Sequence, residues 1–391
     1  MVQSIALLGS TGSIGRQTLE VAKHLGLRVV ALAAGRNVEA IEEQARAVRP
    51  EFVAMGNEAA AAELRLRLHD TGVKVFAGVD GICEMIGQLS CDMLLNAIVG
   101  GVGLRPTLAT VERGIPLALA NKESLVCGGE LVMARLREKG GLLLPVDSEH
   151  SAIFQSLLAG NRKELRRILL TASGGPFFGR KKEELAHLTA AEALRHPTWS
   201  MGAKITVDSA SMMNKGFEAI EAAHLFGVPV SQIEVLVQRE SIVHSLVEFC
   251  DGSVIAQMSR PDMRECIQYA LTYPRRAPGL TPPLDLAAIG CLHFAEPDYG
   301  VFPLLPLAYR ASEAGGVVPA AMNAANDLAV AAFLEGKLDF GGLCETVQSV
   351  TENYIGRPTE ATAPLTLEAI LAATEEATSL ATEMIETLPT L

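Results

Sequence analysis

Three features of the sequence predict an α/β protein with a doubly wound, mostly parallel sheet in its first part. Short apolar runs alternate with amphipathic helical stretches from Ser4 to Pro145. A glycine-rich loop separates the first apolar run from the first helix. From about Pro303 onward the chain turns Ala- and Leu-rich with Glu-bearing faces, the pattern of a small C-terminal helical bundle.

At 391 residues the chain exceeds one ordinary core, so two or three domains are expected. An apolar fraction of 49% with mixed charge marks it as globular. The net charge is −12 and no Lys/Arg-rich run occurs, which argues against nucleic acid as a partner. The seven cysteines show no C-x-x-C pair and no His partner at metal-ligand spacing, a usage that fits reduced thiols and a cytoplasmic protein. The sequence enters a strand at Ser4 with no basic-then-apolar leader, and no window has the length and apolarity of a membrane span.

Ser4–Leu8 reads as the first strand, followed at once by Gly9-Ser10-Thr11-Gly12-Ser13-Ile14-Gly15, a helix to about Leu25 and a second strand, Arg28–Ala33. Strand, glycine loop, helix and strand form the Rossmann-like context of a dinucleotide fingerprint, here with G-x-x-G-x-x-G spacing. The glycines let the backbone approach a pyrophosphate at the helix N-terminus. An NAD enzyme usually has an acid at the tip of the second strand, whereas this chain has Ala34-Gly35-Arg36-Asn37. Arginine without an acid suits the 2′-phosphate of NADP, with Asn37 as a further donor. The alternative is a solvated Arg36 opening the next helix.

Further strands are expected at Phe52–Met55, Lys74–Ala77, Met93–Asn96, Leu117–Ala120 and Leu142–Pro145. Asn121-Lys122-Glu123 closes one of them, and Lys122 there could face nicotinamide or substrate, or simply solvent. The last strand runs into Asp147-Ser148-Glu149-His150. Ligands collect at carboxyl ends of strands in such sheets. Two carboxylates two residues apart on an extended backbone, with a third from elsewhere, would form a hard oxygen site for Mg²⁺ or Mn²⁺. A solvated turn with a helix N-cap at Ser148 or Asp147 is the plainer alternative.

Beyond Ser151 a strand, Ile168–Thr171, leads into Ala172-Ser173-Gly174-Gly175-Pro176-Phe177, whose hydroxyl and N–H groups suit an anion. Thr189-Ala190-Ala191-Glu192 is a capping box. His196-Pro197-Thr198-Trp199-Ser200-Met201-Gly202 holds the chain's one tryptophan in a loop, as a lid over a ligand or a ring packed on the surface. Ile205–Ser209 reads as a strand, followed by a turn carrying Asn214 and Lys215, and a helix Ala219–Phe226. Ser209, Asn214 and Lys215 make a phosphate-sized set, and Glu218 lies one helical turn beyond Asn214. Strands Ile233–Val237, Val243–Phe249 and Val254–Met258 look antiparallel, with a hairpin turn at Asp251-Gly252. A helix Met263–Thr272 precedes a proline-rich linker.

Taken together and in this order, Gly9–Gly15, Asn121-Lys122-Glu123, Val146-Asp147-Ser148-Glu149-His150, Ser173-Gly174-Gly175-Pro176-Phe177, His196–Gly202 and Met213-Asn214-Lys215-Gly216-Phe217-Glu218 closely resemble the 1-deoxy-D-xylulose 5-phosphate reductoisomerase family. The resemblance spans essentially the whole chain. It implies NADPH- and metal-dependent conversion of 1-deoxy-D-xylulose 5-phosphate to 2-C-methyl-D-erythritol 4-phosphate by a homodimer. Mg²⁺, Mn²⁺ or Co²⁺ would serve. It also implies an NADPH-binding domain over 1–147, a catalytic domain with a flap over 148–273, a linker over 274–302 and a helical domain over 303–391. By the same resemblance Asp147, Glu149 and Glu218 match metal ligands, and Ser148 and Lys122 contact the substrate's polar end. Ser173, Ser209, Asn214 and Lys215 match phosphate binders, and His196, Trp199 and Met201 match the flap. Gly9 to Ile14, Gly35, Arg36, Asn37, Asn121, Glu123 and Gly202 are expected near the cofactor. His244 matches a family histidine whose role stays open.

Two other readings compete on residues alone. A semialdehyde-type NADP reductase needs an activated thiol, for which Cys127 is the one candidate near a polar strand end. An NADP-binding sensor leaves the carboxylates and phosphate donors without a task.

Overall fold

The computed structural model describes residues 2–199, 201–357 and 364–388. The chain forms two compact units, each assembled from separate stretches. The first takes Met1–Ser124, Val132–Ser151 and Asp262–Pro282, and the second takes Leu125–Leu131, Ala152–Pro261 and Pro283–Leu391.

In the first unit, strands β1 (Ser4–Leu8), β2 (Arg28–Ala34), β3 (Phe52–Met55), β4 (Lys74–Ala77), β5 (Met93–Asn96), β6 (Leu117–Leu119) and β7 (Leu143–Pro145) form one sheet. Its order is β4-β3-β2-β1-β5-β6-β7, and every pairing is parallel. Central strands such as β1 are apolar beyond their first residue, Ile5 to Leu8 being fully buried, because helices cover both faces. The order reverses between β1 and β5, the switch point where such sheets bind ligands. The helix Met263–Thr272 packs on the helix Ser13–Leu25, with Arg264 Nη1 3.3 Å from Glu20.

The second unit holds a four-stranded sheet of β8 (Leu165–Ala172), β9 (Ile233–Val237), β10 (Val243–Phe249) and β11 (Val254–Met258), in the order β11-β10-β8-β9. Its core is built from helices Met213–Phe226, Leu304–Ala314, Val318–Leu334, Phe340–Ile355 and Leu367–Thr387. Phe340 meets Phe177 and Phe333 edge-on, at centroid distances of 5.2 and 6.3 Å. The C-terminal helices expected from composition are present. Among the described residues no helix is long and apolar enough to cross a membrane.

Three local expectations are corrected. Ile205–Ser209 is not a strand but part of a helix, Ala203–Ala210. Gly202 opens it, Thr206 Oγ1 bonds back to the Gly202 carbonyl at 2.8 Å, and Lys204 pairs with Asp208 at 2.8 Å across one turn. The helix bearing Glu218 begins at Met213, so Asn214 and Lys215 stand in its first turn and not in a preceding loop. Finally, β10 and β11 pair antiparallel as expected, but β9 does not join them: it pairs in parallel with β8, with Ala172 opposite Val237, on the side of β8 away from β10. The Asp251-Gly252 hairpin is present, with Gly252 at φ 85°.

Candidate active site

In the first unit the loop after β1 is shaped by its glycines. Gly9 has φ 81°, and a Cβ there would lie 2.2 Å from the Ala97 carbonyl oxygen. A Cβ on Gly15 would lie 2.3 Å from the Gly9 oxygen, so the first helical turn closes directly onto the loop. The helix Ser13–Leu25 has Gly12 at its N-cap, no side-chain cap and no acid in its first turn. Its N-terminal N–H groups, with Gly12 and Ser13 exposed, therefore suit an anion. Ser10 Oγ is buried and has no hydrogen-bond partner among the described residues. Thr11 and Ile14 border the same loop. These features fit a dinucleotide.

At the tip of β2, Gly35, Arg36 and Asn37 are all exposed. Asn37 caps the next helix by accepting from Ala40 N–H at 3.1 Å, which leaves its amide NH₂ as the donor half. Arg36 makes no ion pair among the described residues. Asn121 and Glu123 are buried scaffolding: Asn121 Nδ2 donates to the carbonyls of Ile98 (2.7 Å) and Gly100 (3.0 Å), and Glu123 Oε1 accepts from Gly100 N–H (3.2 Å). They fix the turn that follows β5.

The end of β7 behaves differently from an extended strand. The helix Ser148–Ser156 starts immediately, and Asp147 caps it, accepting from Glu149 N–H at 3.2 Å while its carbonyl accepts from Ser151 N–H at 2.8 Å. The capping alternative therefore holds, but on a carboxylate with more to do. Lys122 Nζ lies 2.9 Å from Asp147 Oδ2, and the fully buried His150 ring lies 3.0 Å from Oδ1. Ser148 Oγ donates to Glu149 Oε2 at 2.5 Å. Lys122 is 7% exposed, which excludes the solvated-lysine reading.

In the second unit Asn214 Nδ2 donates to Glu218 Oε1 at 2.6 Å, and Lys215 Nζ pairs with Glu218 Oε2. Lys215 and Glu218 are 4% and 1% exposed, so this is a buried set and not a surface pair. Met212, at φ 61°, turns the chain sharply between the helix that ends near Ser209 and the one that carries Asn214. All proposed metal donors are carboxylate oxygens, a hard set that fits Mg²⁺ or Mn²⁺.

Ser173 follows β8, and Gly174 and Gly175 have φ 77° and 65°. A Cβ on Gly175 would lie 2.5 Å from the Ser209 oxygen, so the loop touches the end of the Ser209 helix. His196 Nε2 lies 3.0 Å from Ser173 Oγ, and His196 Nδ1 accepts from the N–H groups of Thr198 (3.2 Å) and Trp199 (2.9 Å). Burial, and then the nearby Arg239 charge, push the His196 pKa down to about 4. Trp199 is half-buried, its ring 6.3 Å from that of the buried His244. Met201 is half-buried, Gly202 exposed, and Ser200 lies outside the described residues.

Two participants are not evident from the sequence. His150 reads there simply as an imidazole beside the carboxylates, yet it orients Asp147. Arg239 donates to the carbonyls of Ser173 and Gly175, both at 2.8 Å. Its signal is the place of an arginine just past a strand, legible only once β9 is known to run beside β8 in the same direction. Cys127, the thiol of the competing reading, is 4% exposed beside a kink at Gly128, no place for an accessible nucleophile.

Residues 5–129 match the family model for 1-deoxy-D-xylulose 5-phosphate reductoisomerase, residues 143–226 its C-terminal domain, and residues 258–380 the model described as the DXP reductoisomerase C-terminal domain. The 1-deoxy-D-xylulose 5-phosphate reductoisomerase of Halothermothrix orenii is 49% identical over 356 residues, covering 90% of this chain and 92% of its own. That of Symbiobacterium thermophilum is 52% identical over 360 residues, with the same coverage of each. Among solved structures, the Zymomonas mobilis enzyme in complex with NADPH is 40% identical with a TM-score of 0.90, covering 99% of this chain and 100% of its own. A DOX-P reductoisomerase in complex with NADPH, fosmidomycin and magnesium is 36% identical with a TM-score of 0.92, covering 98% of each chain. On the three family models and these full-length relatives, the chain belongs to the 1-deoxy-D-xylulose 5-phosphate reductoisomerase family.

Proposed function

We infer a division of labour among the residues above for one reaction. The chain is an NADPH- and divalent-metal-dependent oxidoreductase that converts 1-deoxy-D-xylulose 5-phosphate to 2-C-methyl-D-erythritol 4-phosphate, a step of the non-mevalonate route to isoprenoid precursors. The observation that carries this function is the match to reductoisomerases over 90% of the chain at 49% and 52% identity.

The loop of Gly9, Ser10, Thr11, Gly12, Ser13 and Ile14 takes the cofactor's pyrophosphate, and Gly35, Arg36 and Asn37 take its 2′-phosphate. Asn121 and Glu123 hold the turn beneath the cofactor, and Gly202 borders it from the flap. Asp147, Glu149 and Glu218 hold one Mg²⁺ or Mn²⁺, with Co²⁺ as a substitute. When bound, NADPH supplies the hydride and the cation supplies Lewis-acid polarisation of the substrate's ketone oxygen.

The chain's own side chains do the rest. Ser148 and the Lys122 ammonium hydrogen-bond the oxygens at the reacting end and fix their direction. Ser173, Ser209, Asn214 and Lys215 hold the phosphate. The hydrogen bond from His196 Nε2–H occupies a lone pair of Ser173 Oγ, so the serine's own hydrogen is left to donate to that phosphate. Phosphate binding far from the reacting carbons favours closure of the His196, Trp199 and Met201 flap, which excludes water. The enzyme works as a cytoplasmic homodimer.

The test is NADPH consumption with the sugar phosphate, with and without divalent metal, and mass identification of the product. Turnover that needs both the metal and this substrate, and yields the branched polyol phosphate, is expected. Consumption indifferent to metal would remove the carboxylate assignment.

A further inference from the structure

We propose that Arg239 is a positioning residue for the substrate's phosphate: its guanidinium fixes the Ser173–Gly175 loop through two backbone carbonyls. This rests on the reading above that the loop binds phosphate.

One nitrogen of Arg239, Nη1, donates to both the Ser173 and the Gly175 carbonyl oxygens at 2.8 Å. Gly174 and Gly175 are successive left-handed residues, so neither a strand ladder nor a helix holds this backbone. The two carbonyls converge on this single guanidinium nitrogen. The guanidinium is half-buried and lies over the Phe178 ring, 5.1 Å from its centroid. A planar group can stack in this way and still donate in its own plane, which an ammonium cannot do.

The loop has little other freedom. A Cβ on Gly174 would meet Phe178 and Val237 atoms at 3.0 Å, and Gly175 is pressed on the Ser209 carbonyl. A shift of the Ser173–Gly175 carbonyls therefore changes where the Ser173 hydroxyl stands relative to Ser209. The Arg239 carbonyl in turn accepts from Thr198 Oγ1 at 3.3 Å, which ties the flap's first residues to the same point. Its neighbour Glu240 is engaged by Gln238 and His293, and Arg239 makes no salt bridge among the described residues. The cation's charge is thus left to favour an anion at this loop.

The experiment is steady-state kinetics on the full chain with NADPH and Mg²⁺ for wild type, Arg239→Met, Arg239→Lys and Ser173→Ala, with inorganic phosphate as competitor. In Arg239→Met the KM for the sugar phosphate and the inhibition constant of inorganic phosphate should both rise about tenfold, the size of one lost charge-assisted contact. The KM for NADPH should stay unchanged. Arg239→Lys, with charge but no planar group to lie over Phe178, should fall between. A merely structural loss would reduce the active fraction, and so kcat, without moving KM. Should Arg239→Met fail to fold, the KM of Arg239→Lys decides the question. An unchanged sugar-phosphate KM in the folded variants, with Ser173→Ala raising it, overturns the Arg239 inference alone. An unchanged KM in Ser173→Ala overturns the phosphate reading of the loop and this inference with it.

Discussion

His196 donates from Nε2 to Ser173 Oγ across 3.0 Å, because its other ring nitrogen is taken as an acceptor by the N–H groups of Thr198 and Trp199. The imidazole is therefore neutral with its proton on Nε2. Burial first, and then Arg239, hold its pKa at about 4 against an ordinary 6.5. The folded value lies below the unfolded one, so the unfolded chain binds more protons between these two values. The stability contributed by this loop is complete above about pH 6.5 and lost as pH falls toward 4. An NMR titration of the His196 ring should show neutral Nε2–H imidazole at pH 6. Half-protonation near the ordinary value would disprove the arrangement.

Cofactor choice follows from the tip of β2, where Arg36 is exposed and no acid is present. NADPH should be preferred to NADH. Replacing Arg36 by Asp removes a charge-assisted contact of roughly 1.5–3 kcal/mol, so kcat/KM for NADPH should fall by about 10- to 100-fold. NADH should be affected far less. If Arg36→Asp leaves the ratio of the two cofactors untouched, the 2′-phosphate is read elsewhere.

Much of this molecule was legible in the sequence because strand and helix periods differ sharply in the first unit. All seven strands of the parallel sheet fall where apolar runs end in glycine or polar residues. The misreadings have separate causes. Ile205-Thr206-Val207 is β-branched and looks like a strand, but Val207 and Ala210 bury one face of a helix tied by the Lys204–Asp208 pair. The neighbour of β9 was invisible because period two fixes which face is buried, not which strand lies alongside. With that neighbour unknown, Arg239 could not be placed beside Ser173, which lies 66 residues earlier in the chain. Asn121 and Glu123 show another demand that arises only in the folded turn: their side chains bind the Ile98–Gly100 backbone.

The single tryptophan reports on the flap. Trp199 is half-buried against His244, with ring centroids 6.3 Å apart, and its backbone N–H is tied to His196. Its emission should change when the sugar phosphate binds in the presence of Mg²⁺. A Trp199→Phe variant should lose the signal and raise the KM for substrate while still binding NADPH. Unaltered emission at saturation would assign Trp199 to surface packing.

The metal prediction turns on how each carboxylate is held. In the first unit Asp147 is engaged by Lys122, His150 and the Glu149 N–H, and in the second Glu218 is engaged by Asn214 and Lys215. A cation that joins Asp147, Glu149 and Glu218 must share these oxygens with ammonium groups. Amide variants keep the size and remove one negative charge each. Asp147→Asn, Glu149→Gln and Glu218→Gln should each weaken Mn²⁺ binding by at least about tenfold and abolish turnover, while NADPH binding through the Gly9–Gly15 loop stays normal. The measurement is Mn²⁺ titration by electron paramagnetic resonance on wild type and the three variants, with NADPH fluorescence alongside. Near-normal Mn²⁺ affinity in any one variant would strike that residue from the ligand set. Simultaneous loss of NADPH binding would mark damage to the fold, and Glu149→Asp, which keeps the charge, then decides whether the lost affinity came from the missing carboxylate.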